Sequence, residues 1–404
     1  MTSLDERFSQ LATDHAPGQE VRQTCSDLAS LAIGSALPGR AVDFSHGDVD
    51  AFTPAPGAFD DFVNGVQMGG KRAYTEYRGD ASIRLQLAAR LASFIGAPVT
   101  GDDDMIITPG SQGALFLALA ATVGAGDKVA IVQPDYFANR KLVQFLDAQV
   151  VPVRLDYLHG DPAAGLDLPA LEHAFRTGVK VFVFSNPNNP TGVVYSQAEI
   201  ARIGELAQRY GVTVIVDQLY ARLCYSGTTY THLRAVARAD HPIITLMGPS
   251  KTESLSGYRL GVALAPPAII TRMEQLQAIV SLRAAGYCQS VLQGWFAEPE
   301  GWMAQRIALH QAIRDRLYRQ FSDAGIKTRL PQAGSYLFLT LPPLRVAPVD
   351  FVRLLRYQAQ VIVTPGSEFS PHAGDSVRLN FSQDHDAAQN AASRLIAMIA
   401  RYRQ

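Results

Sequence analysis

Lys251 sits in the stretch GPSKTESLSGYRLG (248–261) and carries an amine that can condense with a carbonyl or move a proton. Arg259 follows eight positions later, in a Gly/Ser-rich turn just before the apolar run LGVALAP. A guanidinium entering a buried strand wants an anionic partner, and phosphate suits its fork. Asp217 stands at the tip of the apolar run VTVIV, with Tyr220 just beyond it. A carboxylate in such surroundings needs a cationic or hydrogen-bonding partner, and a protonated ring nitrogen meets that need. Gly110, Ser111, Gln112 and Gly113 open a helix after a strand, where free backbone N–H groups and the helix dipole suit an anion. Taken singly, each has a plain reading as solvated lysine, turn aspartate or helix cap.

The stretch SNPNNPTG (185–192) adds an amide. Pro and Asn are ordinary turn residues, yet here they are dense. Pro187 and Pro190 fix their own φ and push Asn186 and Asn189 toward extended backbone. The expected product is a stiff loop at the carboxyl end of a strand, which is where α/β sheets bind ligands. Asn189 held there offers a donor and an acceptor to a planar polar ligand.

The elements that must position these groups alternate along the chain. Strands are expected at 128–134, 149–155, 179–187, 212–220 and 260–266, a strand running into a turn at 104–110 and into a loop at 242–251, and helices at 111–123, 140–149, 168–177 and 196–211. The runs at 179–184 and 212–216 are apolar on successive residues, as in strands covered on both faces. The expected fold class is therefore α/β: a three-layer α/β/α arrangement with a mostly parallel central sheet. After residue 295 the texture changes to a long helix, short strands and a final helix, which predicts a smaller α+β domain. The expected division is 1–54 as N-terminal arm and part of the small domain, 55–295 as large domain and 296–404 as small domain.

Bulk properties exclude other classes. The 404 residues are 47% hydrophobic and 18% charged with net charge −1, so the chain folds compactly and offers neither a nucleic-acid footprint nor a polybasic membrane patch. No apolar run reaches the roughly 18 residues of a membrane span, and the N-terminus does not read as a signal peptide. Cys25, Cys224 and Cys288 lie far apart without CxxC spacing, which implies no disulfide framework or zinc site and fits the cytoplasm.

The whole pattern resembles the fold-type I pyridoxal-phosphate enzymes, specifically the class I/II aminotransferases. NPNNPTG (186–192), the Asp217-to-Tyr220 spacing and SK…GYRLG (250–261) carry the resemblance, supported by SHGDVDAFTP, YTEYRGD, PGSQGA, PDYF, QAGSYLFL and VRLNFS in matching order. The resemblance implies pyridoxal 5′-phosphate as cofactor and amino-acid and 2-oxo-acid substrates. By the same resemblance Lys251 forms the Schiff base, Asp217 pairs with the pyridinium nitrogen, and Asn189 and Tyr220 hydrogen-bond the ring oxygen. Tyr136 stacks on the ring, and Gly110, Ser111, Gln112, Ser250 and Arg259 surround the phosphate. Arg378 grips the substrate carboxylate with help from Asn189 and the backbone of Gly47. Tyr74 reaches the phosphate of a neighbouring subunit, which implies a homodimer with shared active sites.

Some positions depart from the family pattern. Gly248 replaces a serine three residues before the lysine, Gln218 replaces a glutamate after the aspartate, and Glu253 is unusual in its place. His46 beside Gly47 reads as a general acid/base or as a loop histidine, and Arg283 as a second cation for a dicarboxylate or as a structural arginine. Phe52 and Tyr287 are candidates for lining a substrate pocket. Transamination is the leading expectation. A lyase, cyclase or oxidase using the same Lys251, Asp217 and Arg378 is the alternative, and a non-catalytic cofactor-binding module comes after it. A dinucleotide-binding fold fails because no GxGxxG opens the first helix.

Overall fold

The structure, a computed structural model, describes residues 4–11, 16, 18–19, 28–238 and 240–404. Cys25 lies outside the described residues. Strands follow one another as β1 (Val42–Asp43), β2 (Met105–Pro109), β3 (Lys128–Gln133), β4 (Gln149–Arg154), β5 (Val179–Ser185) and β6 (Thr213–Asp217). After them come β7 (Ile243–Met247), β8 (Leu260–Leu264), β9 (Tyr336–Thr340), β10 (Val361–Ile362), β11 (Thr364–Pro365) and β12 (Ser376–Asn380).

Seven strands form the central sheet in the order β2-β8-β7-β6-β5-β3-β4. The expected three-layer α/β/α fold is present. Val181, Val183 and Ile215 face one apolar cluster, while Phe182, Phe184, Val214 and Val216 face another, so both sheet faces are covered. That two-sided burial is why these strands read as continuous apolar runs and not as alternating ones.

β8 alone runs antiparallel, against both β2 and β7. The reversal has a consequence for function. The other strands end at one edge of the sheet, and β8 begins there. Arg259, just before β8, therefore meets the residues that follow β2, β5, β6 and β7.

Several expected boundaries shift, among them the strand expected at 179–187, which ends at Ser185, and two of the shifts have a plain local cause. The strand expected at 212–220 ends at Asp217, because the Asp217 carboxylate accepts a hydrogen bond from Leu219 N and turns the chain. The helix expected at 140–149 runs Phe137–Phe145; it starts at the turn after Asp135 and stops before Asp147, whose φ is +61°.

A second sheet, β11-β12-β9, is antiparallel, and β1 pairs with β10. Both pack in a core that joins Leu28, Val42, Phe44 and Phe52 to residues of the helices Trp302–Asp323, Pro348–Ala359 and His385–Tyr402. In the β12–β9 register Arg378 opposes Phe338, and Asn380 opposes Tyr336.

Candidate active site

Side-chain hydrogen bonds tie the asparagine–proline loop to itself and to Pro134, Asp135 and Tyr195. Ser185 Oγ donates to Asp135 Oδ1 at 2.6 Å and accepts from Asn189 N at 3.1 Å. Asn188 Oδ1 accepts from Thr191 N and Oγ1, while its Nδ2 donates to Pro134 O. Asn186 Oδ1 accepts from Tyr195 N. Asp135 is buried, and burial pushes its carboxyl up to about 8 against the donors that surround it. Asn189 is left with its side chain toward the cleft, where Oδ1 accepts from Arg378 Nη1 at 3.0 Å.

A cavity of about 250 Å³ opens at the carboxyl edge of the central sheet. Lys251, Asp217, Asn189, Tyr220, Arg259 and Arg378 all line it, as do Ser111, Gln112, Tyr136 and Ser250. Among the described residues no cation pairs with Asp217; burial raises its carboxyl to about 6, opposed by the Leu219 N–H. A buried carboxylate so placed favours a protonated partner.

At the other end of the cavity the helix Gly110–Thr122 presents its N-terminus. Gly110 has φ +76°, and a Cβ there would lie 2.7 Å from Arg259 Nη2. A Cβ on Gly261 would lie 2.4 Å from the Gly110 carbonyl carbon and Ser111 N, so only glycine lets β8 and the helix start approach this closely. Ser111 Oγ is buried and has no hydrogen-bond partner among the described residues. An orphan hydroxyl, a helix N-terminus and a guanidinium together fit a phosphate ester. The space explains Gly248: a Cβ on it would stand 2.8 Å from Ser111 Oγ, so Ser111 fills the room that a longer side chain would need.

Arg378 is 2% exposed on β12. Nη2 donates to Ser45 O at 2.8 Å, and the guanidinium lies 4.3 Å from the Tyr336 ring centre and 4.7 Å from that of Phe369. Two flanking rings and two anchors fix the fork for a carboxylate. The carbonyl beside Arg378 is that of Ser45; Gly47 lines an adjoining cavity that also reaches Lys251, His46 and His310. Tyr136 donates its hydroxyl to Gln112 Oε1 at 3.0 Å, and burial raises the phenol above its ordinary range.

The remaining expected residues fall outside this cavity or at its rim. His46 is at the rim, with Nδ1 3.0 Å from Gly47 O and Nε2 3.3 Å from Asp43 Oδ2. Both neighbours are acceptors, so both ring nitrogens carry protons, and the Asp43 hydrogen bond holds the imidazolium up to about 9. Tyr74 is 82% exposed and does not line the cavity; Arg283 lies 5.7 Å from its ring centre and donates to Thr75 O. Phe52 packs on His310 in the core at 4.0 Å between ring centres, and Tyr287 belongs to the short helix Gly286–Gln289; neither lines the cavity. Glu253 is buried against Arg222, which also pairs with Glu298, and burial raises Glu253 to about 7. Gln218 points at a second buried histidine, with Oε1 2.9 Å from His232 Nδ1.

Sequence reasoning assigned no role to Tyr336, Ser45 or Asp135. Tyr336 lies within QAGSYLFL, a stretch that supported the family resemblance without singling out the tyrosine, and it falls on β9.

A profile of the family described as aminotransferase class I and II matches residues 50–395. An aspartate aminotransferase of Sulfolobus acidocaldarius is 28% identical over 337 residues, covering 82% of this chain and 83% of that protein. Human kynurenine–oxoglutarate transaminase 1 is 25% identical over 341 residues, covering 81% and 78%. Among solved structures, an aspartate aminotransferase from Rhodobacter sphaeroides is 61% identical, with TM-score 0.94 and the full length of both chains covered.

Proposed function

The chain belongs to the aminotransferase class I and II family and is an aminotransferase, and from that premise we propose how its residues divide the work. The cofactor is pyridoxal 5′-phosphate, with its phosphate on Ser111, Gln112, Ser250, Arg259 and the backbone of Gly110. When bound, it supplies a sink for the electron pair left at the substrate Cα. Lys251 holds the cofactor through its amine and moves the proton at Cα. Asp217 keeps the ring nitrogen protonated, and its burial with no cation against it among the described residues supports that role. Tyr136 covers the ring. Tyr220 and Asn189 hold the ring oxygen. Arg378 binds the α-carboxylate between Tyr336 and Phe369, which orients the Cα–H bond.

The observation that carries this reading is the convergence of Lys251, Asp217, Arg259 and Arg378 on one cavity. The test is to titrate the protein with pyridoxal phosphate and then supply amino acids with and without 2-oxo acids. A visible absorbance band is expected in the native protein and absent in Lys251→Ala, and turnover is expected only when a 2-oxo acid is present. Sustained turnover without one identifies a lyase or cyclase instead. No band in either protein removes the cofactor assignment.

The 61% identical aspartate aminotransferase supports an acidic amino acid as donor. Tyr74 and Arg283 stack together outside their own cavity. Nearby exposed apolar residues on the helices Ala58–Gln67 and Pro267–Val280, among them Phe59, Val66, Ile279 and Val280, support a homodimer in which this pair serves the partner's site. Mixing Lys251→Ala with Arg283→Ala subunits then restores activity that neither has alone; no recovery counts against shared sites. The free thiols Cys224 and Cys288 support the cytoplasm.

A further inference from the structure

The Tyr220 and Tyr336 hydroxyl oxygens lie 2.5 Å apart inside the protein, their rings edge to face at 5.2 Å between centres. One proton lies between them, and either oxygen can be its donor. The same Tyr336 ring sits under Arg378, whose guanidinium also holds Asn189. Tyr336 thus touches a phenol assigned to the cofactor's ring oxygen and the guanidinium assigned to the substrate carboxylate. Its position is fixed by the sheet: Tyr336 on β9 opposes Asn380 on β12, two residues from Arg378. Burial keeps the Tyr220 phenol protonated, so Tyr220 has a single proton to give.

We propose that Tyr336 is a positioning residue that orients the Tyr220 proton toward the cofactor's ring oxygen and couples that bond to the carboxylate grip of Arg378; this rests on the cofactor reading above. If Tyr220 donated to Tyr336, its proton would be lost to the cofactor. With Tyr336 as donor, the Tyr220 oxygen accepts and its own O–H is free to point into the cavity. Donors in series strengthen one another, so the Tyr336 hydroxyl makes Tyr220 a better donor to the ring oxygen. A better donor stabilises negative charge on that oxygen, and so favours loss of the proton that the oxygen shares with the lysine-bound nitrogen. Besides Tyr220, Arg378 and Tyr136 are charged or titratable groups that interact with Tyr336.

The experiment uses the cofactor-loaded protein and two variants. Tyr336→Phe removes the hydroxyl and keeps the ring under Arg378. Tyr336→Leu removes the ring as well. The visible band of native protein, Tyr336→Phe and Tyr336→Leu is titrated with pH, and KM and kcat are measured with an amino-acid donor. Tyr336→Phe is expected to move the spectral midpoint to higher pH by roughly 0.3, the size expected if one bond of a chain loses 10–30% of its strength, with KM changed less than about twofold. Tyr336→Leu is expected to show the same spectral shift and also to raise KM roughly tenfold, by loosening the face on which the guanidinium rests. Circular dichroism and thermal unfolding check that both variants fold. An unchanged midpoint in a folded Tyr336→Phe protein overturns the proposal and leaves the cofactor reading standing. A native protein that takes up no cofactor overturns both.

Discussion

Replacing Gly110 by alanine tests whether the phosphate cradle depends on close approach. Two effects follow from the geometry. Gly110 has φ +76°, a region that costs an L-residue about 1 kcal/mol. The new methyl would also lie 2.7 Å from Arg259 Nη2, where a carbon contact wants about 3.5 Å, so the guanidinium must retreat by roughly 0.8 Å. A charge-assisted hydrogen bond contributes about 1.5–3 kcal/mol. Displacing one guanidinium bond from the phosphate should therefore weaken cofactor binding roughly 10- to 150-fold. The assay is an equilibrium titration of cofactor-free protein with pyridoxal phosphate, followed by absorbance. The decisive comparison is the same substitution in an Arg259→Ala background. With the obstructed side chain already gone, Gly110→Ala should cost no more than about fivefold, because only the backbone effect of about 1 kcal/mol remains. An equal loss in both backgrounds would refute the reasoning, since the damage would then not pass through Arg259.

Arg378→Lys should raise KM for amino acid and 2-oxo acid alike by roughly 10- to 100-fold, because one ammonium cannot reproduce a fork anchored on Asn189 and Ser45; steady-state kinetics beside an unchanged cofactor affinity check it. Asp217 has a folded pKa of about 6 against an ordinary 3.8, so the cofactor-free protein holds a proton that the unfolded chain releases. Its contribution is therefore neutral below about pH 4 and becomes destabilising as pH rises through about 6. Asp217→Asn should flatten that decline in denaturant unfolding at several pH values, and an unchanged slope would count against it. His46, held up to about 9 by Asp43, contributes stability that is full below its ordinary 6.5 and lost as pH rises through about 9. Asp43→Asn should return the His46 midpoint toward 6.5 in an NMR titration.

Much of the fold was legible because its signals are local. Two-sided burial forces continuous apolar runs, and Val179–Ser185 and Thr213–Asp217 show them plainly. A helix start after Pro109 and a capping box at Ser196 and Glu199 are written in adjacent residues. The family motifs named Lys251, Asp217, Asn189, Tyr220, Arg259 and Arg378, which line the cavity, since strand ends and turns are fixed within a few positions of chain.

Direction and contact were not local. Nothing in LGVALAP says that β8 runs against its neighbours, yet that reversal brings Arg259 to Gly110. Glu253 read as an oddity of the lysine loop until the fold set Arg222 and Glu298 against it. Tyr336 carried no sign of its role because residues 336 and 220 are 116 positions apart, and only packing brings their hydroxyls together. The sequence alone determined the chemical groups and the elements that bear them, because propensity and burial act over a few residues. The tertiary structure decided which groups share a proton, a charge or a cavity, because those interactions fall off within a few ångströms and take no account of distance along the chain.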